Sequence, residues 1–259
     1  MTIKIINYAN ELLEAEENLI EIKPFTSRDN KLTVEDAYHI QLEIVKKKVE
    51  QGKTIIGKKI GLTSKAMQEM LNVDEPDYGH LFDDMKVNNG DTVNIKSMIA
   101  PKVEAEIGFM LKEDLTGPNI TFLDVVMATE YIVPTLEIID SRIEDWKIKL
   151  IDTVADNGSS AKVVIGDQVK KLEEINLRTN GMILKKNNEI IATGSGSAAL
   201  GHPAQAIAWL ANKLAEFDIS LKKGELILPG ALSSAVAITS GDEIVADFGP
   251  LGTVNVSFK

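Results

Sequence analysis

The chain has no cysteine among its 259 residues. That single absence excludes disulfides, thiolate nucleophiles and zinc-thiolate sites together. Histidine is scarce too, with His39, His80 and His202 the only three, and a lone loop histidine such as His80 is read as an ordinary loop residue, not as a metal ligand. No apolar run approaches the length that spans a bilayer, and the opening Met1-Thr2-Ile3-Lys4 carries no signal-peptide core. A cytoplasmic setting is therefore expected. Positive charge is in deficit, 28 lysines and arginines against 39 aspartates and glutamates for a net charge of -11, so neither nucleic acid nor an anionic membrane is an expected partner. Internal repeats and low-complexity segments are missing as well. What remains, 44% hydrophobic and 26% charged, is the profile of a globular protein with material for one large domain, or a small one and a medium one.

The most informative stretch is Pro101 to Leu111, an apolar run broken by Glu104 and Glu106. Side chains alternate along a strand, so these two acids share one face, opposite Val103, Ala105 and Ile107. A solvated face would explain the pair alone. Glu137 adds weight to a different reading, because it is the only charge within the apolar run Ile132 to Ile139, and a carboxylate there must be paired, protonated or metal-bound. Three carboxylates without cysteine suggest a hard-ion site of the Mg²⁺ or Mn²⁺ kind, completed by water or substrate oxygens.

The chain opens with helical patterns over residues 4–22 and from a Thr33 cap to Gly52, expected to form a helical N-terminal subdomain over residues 1–72, ahead of a catalytic domain over residues 73–259. A strand from Thr54 to Ile60 ends in Gly57-Lys58-Lys59-Ile60-Gly61, which sends two adjacent lysines to opposite faces. Either one turns inward, where burial or a nearby cation lowers its pKa for proton chemistry, or both reach solvent at an edge. Asp74 to His80 reads as a turn-rich loop able to hang over a site, and residues 121–130 as a helix between the two acid-bearing strands. The mixed polar segment from Ser141 to Ser160 fits an ordered loop that lines a site. Beyond it come a strand at 162–165, a hairpin across Lys186-Asn187-Asn188, a helix over 203–217 and three or four short strands in the tail. Gly194-Ser195-Gly196-Ser197-Ala198-Ala199 matches the dinucleotide pattern weakly, since the repeated strand-helix-strand units are missing. A turn whose N–H groups approach a substrate anion is the preferred reading.

Gly57 to Ser64, Val73 to Gly79, Val103 to Ile107, Asp140 to Ile143, Asp152 to Asn157 and Leu200 to Pro203 together resemble the 2-keto-4-pentenoate hydratase and 4-oxalocrotonate decarboxylase group of the fumarylacetoacetase superfamily. The likeness runs in order from about Thr33 to the C-terminus. It implies an α+β fold with a rolled mixed β-sheet body and a helical N-terminal part. Glu104, Glu106 and Glu137 would be the metal carboxylates, Lys59 and Asp77 the catalytic residues, and Asp156, Ser159 and Arg142 the substrate contacts, with no organic cofactor. Lys58 would be the outward lysine, so its replacement by alanine is expected to be nearly silent. Within the group the chain looks closer to the hydratases of aromatic meta-cleavage, which form homo-oligomers; association with a neighbouring pathway enzyme is also expected.

Three other readings stand beside hydration of 2-hydroxypenta-2,4-dienoate. A decarboxylase acting on 2-oxohex-3-enedioate would need a cation for a second carboxylate, for which Arg142 is the candidate if it is not a structural partner of Asp140. A hydrolase of 1,3-diketones would need a histidine and acid dyad, with His80 in the only suggestive loop. A purely structural cation would leave the inward lysine without a purpose.

Overall fold

Helix ends in this chain are written in short polar motifs. Thr33 accepts from the Asp36 N–H while the Asp36 carboxylate accepts from the Thr33 N–H, a reciprocal cap, and Thr121 with Asp124 repeats it. The computed structural model describes residues 2–259, apart from the side chains of Met67, Met70 and Leu71. In chain order its elements are α1 (Ile3–Asn18), α2 (Phe25–Arg28), α3 (Val34–Glu50), β1 (Ile55–Gly61), α4 (Lys65–Leu71), β2 (Asp77–Phe82), β3 (Lys86–Asn88), β4 (Thr92–Val93), β5 (Lys102–Leu111) and α5 (Phe122–Ala128). Then follow β6 (Thr129–Ile139), α6 (Leu150–Ala155), β7 (Ser160–Ile165), β8 (Gly181–Lys186), β9 (Glu189–Ser195), α7 (Pro203–Leu214), β10 (Leu226–Leu228), β11 (Val236–Ala237), β12 (Glu243–Asp247) and β13 (Thr253–Phe258).

Two mixed sheets result, as the resemblance implies. The larger runs β2-β1-β10-β5-β6-β7-β3, with β11 also on β5; the smaller runs β4-β13-β12-β8-β9. The β1–β10 and β3–β7 pairs are parallel, and the rest of the larger sheet is antiparallel. The turn between β8 and β9 is Asn187-Asn188, both at positive φ, which matches the right-handed twist of a two-residue hairpin. Strands β12 and β13 pack on β6 and β7. One apolar cluster joins Ile107, Leu136 and Val164 of the large sheet to Ala246, Val254 and Val256 of the small one, and reaches Leu12, Ile40 and Ile44 of the N-terminal helices.

The expected division at residue 72 falls inside the larger sheet. Strand β1 precedes it and β2 follows it, yet they are hydrogen-bonded neighbours. The part that stands outside the sheets is α1 to α3, and even α3 is tied in: the buried Gln41 amide donates to the carbonyls of Tyr78 and Val154, each at 2.8 Å.

The outward reading of Lys58 is overturned. It does point away from Lys59, but that face of β1 is covered too, and Lys58 is 2% exposed. Its Nζ donates to both Glu225 oxygens at 2.7 and 2.8 Å, on the sheet face that carries Ile60, Tyr78 and Ile227. Burial pushes the Lys58 ammonium down, against the pull of Glu225. Truncating one partner of a buried pair strands the other charge, so Lys58→Ala is expected to lower unfolding free energy by ~3–5 kcal/mol. Chemical denaturation reads this directly, and an unshifted midpoint would show the pair to be dispensable.

Candidate active site

The ladder between β5 and β6 places Glu104 directly opposite Glu137 and Glu106 opposite Thr135. With Glu104 and Glu106 on one face of β5, an oxygen from each of the three carboxylates lies within 4.8 Å of the others. Glu106 accepts from the Gly230 N–H at 2.8 Å and Glu137 from the Ser160 hydroxyl at 3.0 Å. The second Glu137 oxygen, Oε2, is buried without a hydrogen-bond donor and stands 3.5 Å from Lys59 Nζ. Burial pushes Glu104 up to about 7, with Lys59 pulling back and Glu137 and Asp77 adding to the rise. Burial and the same crowding of negative charge carry Glu106 well above the carboxylate range. A cation coordinated at 2.1–2.4 Å spans about 4.2–4.8 Å between opposite ligand oxygens. The all-oxygen donor set, its spacing and the orphaned Oε2 therefore fit a hard divalent ion, and these three residues are the ones able to hold it.

Lys59 departs from expectation in one respect. Burial alone would lower it, but Glu137, Asp77, Glu104 and Glu106 together outweigh burial and hold the ammonium above the ordinary lysine range. In this setting it is a fixed positive charge.

A cavity of about 390 Å³ opens beside the cluster, walled by Lys59, Asp77, Glu104 and Ser159 on its polar side and by Leu62, Ile148 and Leu232 on its apolar side. Asp77 is buried; its Oδ2 accepts from the Thr153 hydroxyl at 3.4 Å while Oδ1 meets no well-formed donor. Burial pushes Asp77 up, and Lys59 pulls it back. The Ser233 hydroxyl is also buried in the cavity wall without a partner. Sequence reasoning missed Ser233 and Gly230 as site residues. Gly230, at φ +117, admits no side chain, because a Cβ would stand 2.0 Å from the Thr63 hydroxyl oxygen.

Lys59, Asp77, Glu104, Glu106, Glu137 and Ser159 are thus brought together, and Arg142 and Asp156 are not. The Arg142 guanidinium donates to Asp156 Oδ1 at 2.5 Å and to the carbonyls of Asp156 and Asp140 at 2.6 and 2.7 Å. Its donors are spent inside the protein, so it is not a substrate contact, and its acid partner is Asp156, while the Asp140 carboxylate caps the N–H groups of Ile99 and Ala100. Burial pushes Asp156 up to about 6 despite Arg142. The pair anchors the turn Asn157-Gly158-Ser159, whose three residues all have φ between +54 and +60. That backbone is costly for Asn and Ser. It is held by the Asn157 amide, which bonds the N–H and the carbonyl of His80 at 2.8 and 2.9 Å. Gly158 then lies against Lys59: a Cβ there would stand 3.2 to 3.4 Å from the lysine side chain.

Two loop expectations also change. Asp77 to His80 belong to β2, and His80 is buried beside Gln41, with Nδ1 3.1 Å from its Oε1. In the Gly194 to Ala199 turn, the N–H groups of Gly196, Ser197 and Ala199 already donate to carbonyls and are not open to an anion. The glycines serve close backbone contact, since Cβ atoms at Gly194 and Gly196 would lie 2.0 and 1.9 Å from carbonyl oxygens.

Residues 47–259 match the family described as fumarylacetoacetate (FAA) hydrolase C-terminal. The chain belongs to this family. Among curated relatives, it is 46% identical over 249 residues to a 2-hydroxyhexa-2,4-dienoate hydratase of Comamonas testosteroni, covering 95% of this chain and 94% of the relative. It is 48% identical over 212 residues to a 2-hydroxypent-2,4-dienoate hydratase of Pseudomonas putida, covering 82% and 96%. A solved structure described as 4-oxalocrotonate decarboxylase from Pseudomonas putida G7, complexed with magnesium and adipate, superposes with a TM-score of 0.97 at 39% identity, covering 99% of this chain and 97% of that one. Among the described residues no helix is long and apolar enough to cross a membrane.

The His80 network carries a pH signature. Burial, reinforced by Lys58, pushes His80 down to about 3. Between that value and the unfolded ~6.5 the unfolded state binds a proton that the folded state refuses, so stability falls as pH drops, by at most ~1.4 kcal/mol per pH unit. Thermal melts from pH 7 to 4 are expected to show this slope, and His80→Asn to flatten it; an equal slope in both proteins would refute the assignment.

Proposed function

We propose that this family member is a metal-dependent hydro-lyase that converts 2-hydroxypenta-2,4-dienoate to 4-hydroxy-2-oxopentanoate in the breakdown of ring-cleaved aromatic compounds. The observation that carries the reading is the buried Lys59 ammonium beside a three-carboxylate cluster that meets the cavity through Glu104. The two hydratase relatives give the substrate class.

When bound to Glu104, Glu106 and Glu137, Mg²⁺ or Mn²⁺ would act as a Lewis acid on the C2 oxygen of a 2-oxo acid. The chain's own residues do the rest. Lys59 directs its Nζ protons at the oxygen on which negative charge grows, a donor fixed in place before the reaction starts. As the C2 hydroxyl gives up its proton, C5 gains one, leaving an alkene conjugated to the ketone. Asp77, with Oδ1 free of donors, takes a proton from the water that adds at C4 and returns one to C3. Ser233 presents its unpartnered hydroxyl for the substrate carboxylate, while the Ser159 hydroxyl donates to Asp156 at 3.1 Å and so holds the cavity wall in place, and Leu62, Ile148 and Leu232 keep bulk water out. No organic cofactor enters this reading.

The second reading is decarboxylation of 2-oxohex-3-enedioate, favoured by the close superposition on the decarboxylase structure. Cleavage of a 1,3-diketone is less well supported, because His80 faces an amide instead of an acid and lies outside the cavity wall. A cytoplasmic homo-oligomer, with a neighbouring pathway enzyme as a further partner, completes the proposal. Exposed Leu123 and Met127 on α5 and Ile190 on β9 support self-association.

Ultraviolet absorbance and CO₂ release, followed with Mg²⁺ and each substrate in turn, separate the two readings. The expected result is loss of the dienoate signal without CO₂; CO₂ from the dicarboxylate with little hydration would establish the decarboxylase instead. Glu106→Gln is expected to abolish metal-dependent turnover with the fold retained, and full activity of that variant in chelator would overturn the metal assignment. Lys59→Met should lower kcat by ~10²–10⁴-fold while metal affinity measured by calorimetry changes little; an equal loss of affinity would make Lys59 structural.

A further inference from the structure

The hydroxyl that Glu137 receives comes from a residue that a regular strand would turn away from it. In the β6–β7 ladder Glu137 lies opposite Val163 and Ile138 opposite Lys162, but Ile139 lies opposite Ser160, which leaves Ala161 as one extra residue, a β-bulge. Side chains alternate along a strand, so without the bulge Ser160 would share the face of Lys162, opposite to that of Glu137. With it Ser160 joins Ile139 and Glu137, and its hydroxyl reaches Glu137 Oε1 at 3.0 Å. Ser160 is 2% exposed, so the contact is shielded from water. The two Glu137 oxygens are thereby given different tasks. Oε1 is held by the protein, and Oε2 is left buried without a hydrogen-bond donor, 3.5 Å from Lys59 Nζ. Glu106 is divided in the same way, with Oε2 held by the Gly230 N–H at 2.8 Å.

We propose that Ser160 is a positioning residue that makes Glu137 a one-oxygen ligand, so that the site favours Mg²⁺ over Ca²⁺. The proposal rests on the reading that Glu104, Glu106 and Glu137 hold the ion. Two carboxylates that each keep one oxygen tied to the protein offer an ion one oxygen apiece. That suits Mg²⁺, which demands a near-ideal octahedron and keeps its remaining positions for water or substrate. Ca²⁺ has a larger, more flexible shell and accepts one or both oxygens of a carboxylate. Freed from Ser160, Glu137 can turn both oxygens to the ion. The narrow bite of a chelating carboxylate distorts an octahedron and is ordinary for Ca²⁺. Outer-shell donors of this kind fix the orientation of a ligand, and ion affinity depends on them.

The test measures Mg²⁺ and Ca²⁺ dissociation constants by calorimetry on the full chain. Ser160→Ala is expected to weaken Mg²⁺ binding by ~10–100-fold while Ca²⁺ loses far less, so that the ratio of the constants moves toward Ca²⁺. Ser160→Cys, near serine in size and a weak donor, repeats the test without leaving a void. Thr135→Val is the control. It removes another buried hydroxyl, one on β6 that donates to the Glu106 carbonyl at 3.0 Å and to no carboxylate, and it should leave the ratio unchanged. Equal weakening of both ions by the Ser160 variants would overturn the proposal, being the mark of a residue that only supports the sheet, and so would an unmoved Mg²⁺ constant. A wild type that bound neither ion would sink the metal reading and the proposal together, whereas a wild type that bound Mg²⁺ with a ratio indifferent to Ser160 would sink the proposal alone.

Discussion

Mutual repulsion among three converging carboxylates, two buried and one half-buried, is the constraint on which the rest of this structure depends. Glu104, Glu106 and Glu137 converge because the β5–β6 ladder fixes them across from one another, and nothing in the apolar core around Ile107 and Leu136 can screen their charge. One compensating charge is part of the chain, the Lys59 ammonium at 3.5 Å from Glu137. Backbone donors are arranged to help: Gly230 turns its N–H to Glu106 and can be nothing but glycine at that spot. The imbalance that remains is what makes the site a receptor for a hard cation and, beside it, for an anionic substrate.

Strand β1 shows how one element can serve two ends. Its adjacent lysines go to opposite faces, and both faces are buried, so each needs its own acid. Lys59 meets the cluster, and Lys58 meets Glu225 on the other face, in the layer of Ile60, Tyr78 and Ile227. Arg142 and Asp156 follow the same rule one layer out, where the pair fixes the left-handed turn that presses Gly158 against Lys59. Buried polar groups here form pairs in series, each holding the next in register with the cavity.

This arrangement also explains the chemistry available to the cavity. Polar groups without partners, Asp77 Oδ1 and the Ser233 hydroxyl, occur in its wall; the hydroxyls of Tyr38 and Tyr78 also lack partners away from it, while the Asn157 amide and Gln41 are engaged. An unsatisfied buried donor or acceptor is expensive. Its presence beside a cation site is what a substrate would relieve.

Local pattern was enough for much of this. Strand alternation in Val103 to Ile107 put Glu104 and Glu106 on one face, an isolated charge in Ile132 to Ile139 singled out Glu137, and the Thr33 and Asn187-Asn188 signals marked a helix start and a hairpin correctly. These features depend only on residues within a few positions of one another. What the sequence could not decide was which polar residues answer to each other across the fold. That Arg142 would spend its donors on Asp156, that Lys58 would find Glu225 instead of solvent, and that His80 would sit in a strand beside Gln41 were decided by contacts between residues 14, 167 and 39 positions apart. A charged side chain looks the same in a sequence whether it faces water, substrate or a partner. Only the packing of one sheet face against the next determines which of these it meets, because burial sets the energy of leaving it unpaired.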